Sequence, residues 1–531
     1  MRTENFPTET VGLAEVGEAQ IVELADGDEF ELRIAPVTKE LGGGTVRMLA
    51  YNASIPGPTL KVRQGSEFVV NVVNEGDLEA TVHWHGIRVE NRYDGTHETQ
   101  KPMAVGERFT YRLQFPDPGL YWYHPHIRQD YGQEMGLYGN ILVVPAEADY
   151  WPPAHREVLL TLDDILLEDG KVAPFSRSET TYVAMGRFGT TLLVGGQPEF
   201  AMSAKLGEVV RFYLTDTANT RVFKVGVAGA RMKLVGGDSG HVEREELVDE
   251  VILAPSERVV VDVLFDRPGA VTLEHRTPER TYPLAQITVA EERAEPELAE
   301  EFESLRVNED LSAERERIAP YLEAEPHKTL AFVAEMDRGE PETEAGTAVY
   351  ACPMHEDIVA TWEGKCPKCG MTLRPTAGSG GEMAEHEGQE GHTHDVAGGI
   401  EWEDDMVELN RTTTPANMRW IIVDRTTDAE NHAIDWRFRV GDQVKIRLVN
   451  EMESDHPMHH PFHIHGAGRF LVLSRDGVVE PNLVWKDTVL VRTGETVDIL
   501  LDVSNPGLWM AHCHIAEHHE SGMMFSFSVD A

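Results

Sequence analysis

The sequence predicts an all-β protein made of three related antiparallel β-sandwich domains, and three observations carry that reading. A turn glycine followed by an alternating apolar strand occurs three times, around Gly65, Gly207 and Gly441. A second unit of strand, Pro-Gly turn and strand also occurs three times, with turns at Pro118-Gly119, Pro268-Gly269 and Pro506-Gly507. From glycine to glycine the two units lie 54, 62 and 66 residues apart, so matching strand pairs recur at near-equal spacing. Short runs rich in Val, Ile, Phe and Tyr between Gly, Pro and Asp turns are the pattern of antiparallel sandwiches.

Taken in order, domain one spans residues 1–148 and closes near Pro145. Domain two, 149–289, opens at Tyr150-Trp151-Pro152-Pro153. Residues 290–326 turn acidic and helix-forming, and are expected to be a helical linker on the surface whose charge is a solvated face. Domain three, 327–531, starts with a strand from Lys328 and is interrupted by an insertion over 337–399. Strand-like sequence resumes at Trp402. The outer parts of the insertion, 339–347 and 376–399, are rich in Gly, Glu and Thr and are expected to be mobile.

The chain has 531 residues, 41% hydrophobic and 26% charged, enough for several buried cores. Ninety-one Asp and Glu against 47 Lys and Arg give a formal charge of -44. That balance argues against a nucleic-acid partner and favours attraction of cations. No apolar run approaches the ~18 residues that cross a bilayer, so no membrane span is expected. The start, Met1 to Pro7, lacks an apolar h-region, so no secretory signal is visible there. The four cysteines are Cys352, Cys366, Cys369 and Cys513, three of them within 18 residues and the fourth between two histidines. Such placement reads as metal ligation, not as a disulfide framework. With 23 His and 18 Met beside them, copper is the metal that fits.

Four histidine motifs lie in the first and third repeats only: His83-Trp84-His85-Gly86, His124-Pro125-His126, His460-Pro461-Phe462-His463-Ile464-His465 and His512-Cys513-His514. The last continues through His518 to Met523. On a strand, residues i and i+2 share a face, so a His-x-His pair presents two imidazoles together. In the 512–514 run the histidines face one way and Cys513 the other, so one strand can serve two metal centres. The middle repeat, ending Glu274-His275-Arg276, lacks the pairs. A single His-x-His is commonly a polar sheet face; four at the ends of corresponding strands are a site.

With these motifs the sequence resembles the three-domain bacterial multicopper oxidases, of the copper-efflux-oxidase and laccase kinds, built from cupredoxin-like Greek-key sandwiches. The resemblance covers the chain apart from the insertion. It implies four copper ions: a type 1 copper held by His460, Cys513, His518 and Met523, a type 2 copper by His83 and His463, and a type 3 pair by His85, His124, His126, His465, His512 and His514. It implies one-electron oxidations at the type 1 copper, reduction of O2 to water at the other three, and a periplasmic or extracellular location. A thiolate with two imidazoles and a weak axial thioether does suit fast electron transfer. Asp94 stands where these oxidases carry an acid near the type 2 copper, and is expected to donate protons; a plain turn aspartate before Gly95 is the alternative. Many relatives place an acid directly after the second type 1 histidine. Here that residue is His519, followed by Glu520, and either is a candidate second proton donor.

Within the insertion, Cys352 and His355 precede Cys366-Pro367-Lys368-Cys369, the spacing of a small four-ligand metal knuckle that folds around its ion. The segment resembles the short heavy-metal-binding domain of copper-exporting ATPases and efflux adaptors, and zinc or Cu(I) suits its ligands equally. His386, His392 and His394 further on either collect copper weakly or are plain exposed histidines. Asp455-His456-Pro457-Met458-His459, beside His460, is a second run able to bind incoming copper. Together with the charge, these features favour Cu(I) over a phenol as reductant, with the insertion as collector or lid. A laccase-like phenol oxidase is the close rival. A copper nitrite reductase is disfavoured by the type 3 histidines, and a copper carrier or storage protein by the completeness of the histidine set. The sequence leaves the oligomeric state open.

Overall fold

The computed structural model describes residues 5–336 and 398–531 and, between them, 349–352, 355, 358–360, 365, 366, 368, 371 and 373–376. Cys369, His386, His392 and His394, and almost all of the insertion's outer parts, lie outside the described residues. Three β-sandwiches follow one another along the chain, each a pair of sheets closed on its own apolar core. The local patterns explain the layering. In Arg108–Gln114 only Tyr111 and Leu113 are buried, alternating with more open neighbours, because one face meets the core and the other meets solvent. Gly119–His124 is buried along its whole length, since Leu120 packs outward against Tyr213, Val235 and Val260 of the second sandwich. The glycines of the three Pro-Gly turns share a positive φ of 149°, 122° and 145° at Gly119, Gly269 and Gly507, a conformation that side chains with a Cβ resist.

Corresponding strands lie side by side in corresponding places. In the first sandwich His83–His85 pairs with Gly119–His124, placing His83 opposite His124. In the third, His460–Ile464 pairs with Gly507–Cys513, placing His463 opposite His512 and Phe462 opposite Cys513. In the second, the equivalent slot holds Val225 opposite His275. There His275 is a core histidine: its Nδ1 accepts the Lys224 N–H at 3.1 Å and its ring stacks on Tyr282.

The acidic linker is a packed strap, not merely a solvated face. The last strand of the second sandwich runs on to Arg293, and the helices Ala299–Glu303 and Glu309–Leu322 follow. Phe302 is buried against Val209 and Leu264 of the second sandwich, while Leu311 and Ile318 are buried against Leu471, Leu473 and Leu500 of the third. The insertion leaves the strand Lys328–Met336 and forms a small sheet of Val349–Ala351, Val359–Ala360 and Arg374–Thr376. Lys365 Nζ donates to the Ser454 carbonyl at 3.2 Å and Arg374 to the Met336 carbonyl at 2.9 Å, so the insertion rests on the loop that leads to His460. Among the described residues no helix is long and apolar enough to cross a membrane.

Candidate metal centres

One centre forms around Cys513, at the end of the strand Gly507–Cys513. His460 Nδ1 lies 3.4 Å and His518 Nδ1 3.7 Å from its sulfur, and all three residues are buried. His518 comes from the short helix Ala516–Glu520, anchored by Ala516 N–H donating to the Asn219 carbonyl of the second sandwich at 3.0 Å. Trp420 stacks on His518 at 4.1 Å and meets His460 edge-on at 4.9 Å, which fixes both rings. Burial pushes the Cys513 thiol up despite the hydrogen bond from Ile515 N–H. A thiolate therefore needs a cation beside it here. Met523 is fully buried next to this centre in sequence, its carbonyl accepting the Cys513 N–H at 3.2 Å.

On the other face of the same strand, eight imidazoles from the first and third sandwiches converge. They fall into His83, His85 and His463; His85, His124 and His514; and His126, His465 and His512. Their hydrogen bonds decide which nitrogens face inward. Nδ1 of His83, His124, His463 and His512 each lies 2.7–2.9 Å from a backbone carbonyl, of Asp94, Pro125, Asp487 and Cys513 respectively. A carbonyl only accepts, so Nδ1 carries the proton and Nε2 keeps its lone pair. His465 Nδ1 donates likewise to Asp94 Oδ2 at 2.8 Å.

This arrangement tests whether metal ions fit. His465 Nε2 and His512 Nε2 stand 3.0 Å apart, lone pair toward lone pair. Protonation does not relieve them: burial drives the pKa of His512 well below its ordinary value and that of His465 down to about 4. Nε2 of His83, His124, His463 and His514 are also buried without a hydrogen-bond partner. So many inward lone pairs in a desolvated cluster are a donor set for cations, and imidazole suits copper.

Asp94 grips two of these rings, His83 through its carbonyl and His465 through its carboxylate. Burial opposes its ionisation, but His465 and His83 together hold its carboxyl below the usual range. Glu520 does not reach the cluster. It accepts the Gln129 N–H at 2.8 Å and lies 3.6 Å from His519 Nδ1. It is the His519 ring that packs against His126 and His512, at 4.7 and 4.5 Å. Sequence reasoning missed Gln129, 3.3 Å from His514 Nδ1, and the group of Asp487, Thr488 and Arg258 behind His85 and His463. No short motif marks them; they come from distant positions that only folding unites.

In the insertion, His355 Nδ1 lies 3.5 Å from Cys352 Sγ and 3.4 Å from Cys366 Sγ, three residues placed so that they could hold a soft metal ion. Cys369, the fourth expected ligand, lies outside the described residues.

A chain of three cupredoxin-fold sandwiches, with a thiolate–imidazole pocket and an eight-imidazole cluster on two faces of one strand, is a multicentre metalloprotein. Multicopper oxidase family models match residues 34–148 and 403–531, and a heavy metal binding domain model matches 349–376. The chain belongs to the multicopper oxidase family and carries a heavy-metal-binding domain in its third-sandwich region. The multicopper oxidase MmcO of Mycobacterium tuberculosis is 26% identical over 521 residues, covering 92% of this chain and 84% of that protein. Among solved structures, the Campylobacter jejuni multicopper oxidase, described as a metallo-oxidase, superposes with a TM-score of 0.65 at 22% identity, covering 99% of both chains. The laccase-like CueO of Ochrobactrum sp., described as active towards lignin model compounds, gives 0.66 at 18% identity, covering 97% of this chain and 100% of that one. Copper cofactors follow from the family.

Proposed function

We propose that this chain is a four-copper oxidase whose reductant is Cu(I). His460, Cys513, His518 and Met523 would hold the type 1 ion, His83 and His463 the type 2 ion, and His85, His124, His126, His465, His512 and His514 the type 3 pair. Bound there, copper supplies the redox chemistry by which four one-electron oxidations reduce O2 to water. The protein's part is to connect, orient and protonate. Cys513 lies between His512 and His514 in sequence, and His512 Nδ1 donates to the Cys513 carbonyl at 2.8 Å, giving a short bonded route between the two centres. Asp94 orients His83 and His465 and holds a carboxylate at the cluster's edge, able to pass a proton. His519, backed by Glu520 and packed on His126 and His512, stands where a second proton enters.

The observation that carries the Cu(I) reading is a soft pair beside the type 1 ligands. His456 Nε2 lies 3.1 Å from Met185 Sδ, both buried, and His456 touches the same Trp420 ring that packs on His460 and His518. Imidazole with thioether is a donor set for Cu(I), whereas a phenol has no use for it. The insertion rests on Ser454 and Arg374 reaches Asp455, the two residues just before His456 in the chain. A charge of -44 draws cations toward it. A periplasmic or extracellular setting, where copper is met as a free ion, goes with this reading.

Oxygen uptake driven by Cu(I), and separately by a dimethoxyphenol, tests it. Met185→Leu is expected to raise the KM for Cu(I) and leave the phenol rate unchanged. Removal of residues 337–399 is expected to cut the Cu(I) rate and raise the phenol rate. Cu(I) turnover untouched by both changes would make the chain a laccase-like phenol oxidase with a separate metal-binding module.

A further inference from the structure

The middle sandwich contributes no imidazole to the cluster, yet one of its side chains reaches it. Arg258 begins the strand Arg258–Phe265 and is completely buried. Its Nε donates to the Leu120 carbonyl of the first sandwich at 2.8 Å. Its Nη1 donates to Asp487 Oδ1 of the third at 2.8 Å, and Nη2 contacts Oδ2 of the same carboxylate. Asp238 and Lys486 complete the group, with Lys486 Nζ 3.2 Å from Asp238 Oδ2. Three domains thus meet on one guanidinium.

Asp487 Oδ1 also lies 2.9 Å from His85 Nε2, with Thr488 Oγ1 at 3.1 Å from the same nitrogen. Both Asp487 oxygens receive N–H donors from Arg258, so the carboxylate accepts and does not donate. His85 Nε2 must then carry the ring proton. This reverses the pattern of His83, His124, His463, His465 and His512, whose Nδ1 atoms are the donors. In His85 it is Nδ1 that is buried without a partner, on the side shared with His124 and His514. Gly86 belongs to the same device. Its φ is +83°, and a Cβ there would lie 2.4 Å from Asp487 Oδ2 and 2.9 Å from Arg258 Nη2.

We infer that Arg258 and Asp487 are positioning residues that hold His85 as the Nε2–H tautomer, so that it offers copper its Nδ1, and that this is how the middle domain serves the cluster. Arg258 keeps both Asp487 oxygens occupied and oriented; Asp487 fixes the proton on His85; the lone pair of His85 then faces His124 and His514. An alanine at 487 takes this acceptor away and releases the ring proton to Nδ1, where it blocks ligation. The same backbone segment holds His463, through the Asp487 carbonyl, so losing Arg258 loosens two ligands.

The inference rests on the copper reading above, but its first test needs no copper. In copper-free protein carrying nitrogen-15 histidine, the His85 signal, assigned by its loss in His85→Gln, is expected to report a proton on Nε2. Asp487→Ala is expected to release that proton to Nδ1, and Asp487→Glu to keep it on Nε2. On copper titration, Asp487→Ala and Arg258→Met should weaken binding at the histidine cluster by roughly 10–100-fold, as loss of an outer partner of a ligand does. The blue colour of the Cys513 centre should persist in both. A proton on Nδ1 of His85 in the unaltered protein overturns the inference, even if no variant folds. So does Asp487→Ala with tautomer and copper affinity unchanged. Neither result touches the oxidase reading, which falls instead if the copper-loaded protein takes up no oxygen with any reductant.

Discussion

Asp94 serves two histidines by two different groups, and that separates its roles experimentally. Its carbonyl takes the His83 Nδ1 proton and its carboxylate the His465 Nδ1 proton. Asp94→Asn keeps the backbone contact and the size but removes the anionic acceptor. Positioned proton transfer contributes ~10²–10⁴-fold to a rate, so oxygen uptake is expected to fall by about that range. Anaerobic bleaching of the blue colour by reductant, which involves only the Cys513 centre, should keep its rate. Equal loss in both measurements would mean that Asp94 is structural. At this scale the converging histidines were legible in the sequence because two-residue spacing on a strand is a face, and a face with two imidazoles announces itself. Asp487, Arg258 and Gln129 were not, since each is an ordinary charged or polar residue until the fold brings it 2.8–3.3 Å from its partner. His519 was read as a departure from a pattern and, with Glu520, as a candidate proton donor; its packing on His126 and His512 gives it a place.

Among the elements, the insertion is the one whose chemistry is separable. Its candidate ligands Cys352, His355 and Cys366 lie in loops beside a small sheet of its own, and it meets the third sandwich through Lys365 and Arg374 rather than through shared strands. A double change of Cys352→Ser and Cys366→Ser is therefore expected to lower the bound metal by one equivalent and leave the blue colour intact. Metal analysis beside the visible spectrum checks it; an unchanged metal count would mean that the knuckle holds no ion. The strands themselves were readable because the Pro-Gly turn and the turn glycine punctuate all three copies. The linker was read less well. Its helices carry only Phe302, Leu311 and Ile318 as buried contacts within an acidic run, and so few apolar residues give no clear stripe, though they bind two sandwiches together.

For the whole molecule, burial of so many imidazoles has a consequence for stability against pH. Among the described residues, eleven histidines have pKa values lowered chiefly by burial: His85, His124, His126, His275, His459, His460, His463, His465, His512, His514 and His518. In the copper-free protein they stay neutral while the unfolded chain takes up protons near its ordinary value of ~6.5. Their contribution is present above that pH and lost as pH falls through it. Buried carboxyls act with the opposite sign. Burial raises Glu134 to about 8 despite Arg187, and Glu401 and Glu517 to about 7. Stability from these groups is present at low pH and lost as pH rises toward those values. Self-repulsion of a chain at -44 adds to the same alkaline limb. Each extra proton bound by one state gives a slope of ~1.4 kcal/mol per pH unit, so eleven histidines make the acid limb the steeper. Copper-free protein should therefore melt highest near pH ~6.5–7, with a steep fall below and a shallower one above. Calorimetry of the copper-free protein across about pH 5 to 9 measures this directly. A melting temperature that stays level from neutrality down to about pH 5 would mean that the imidazoles are not held neutral in the folded chain.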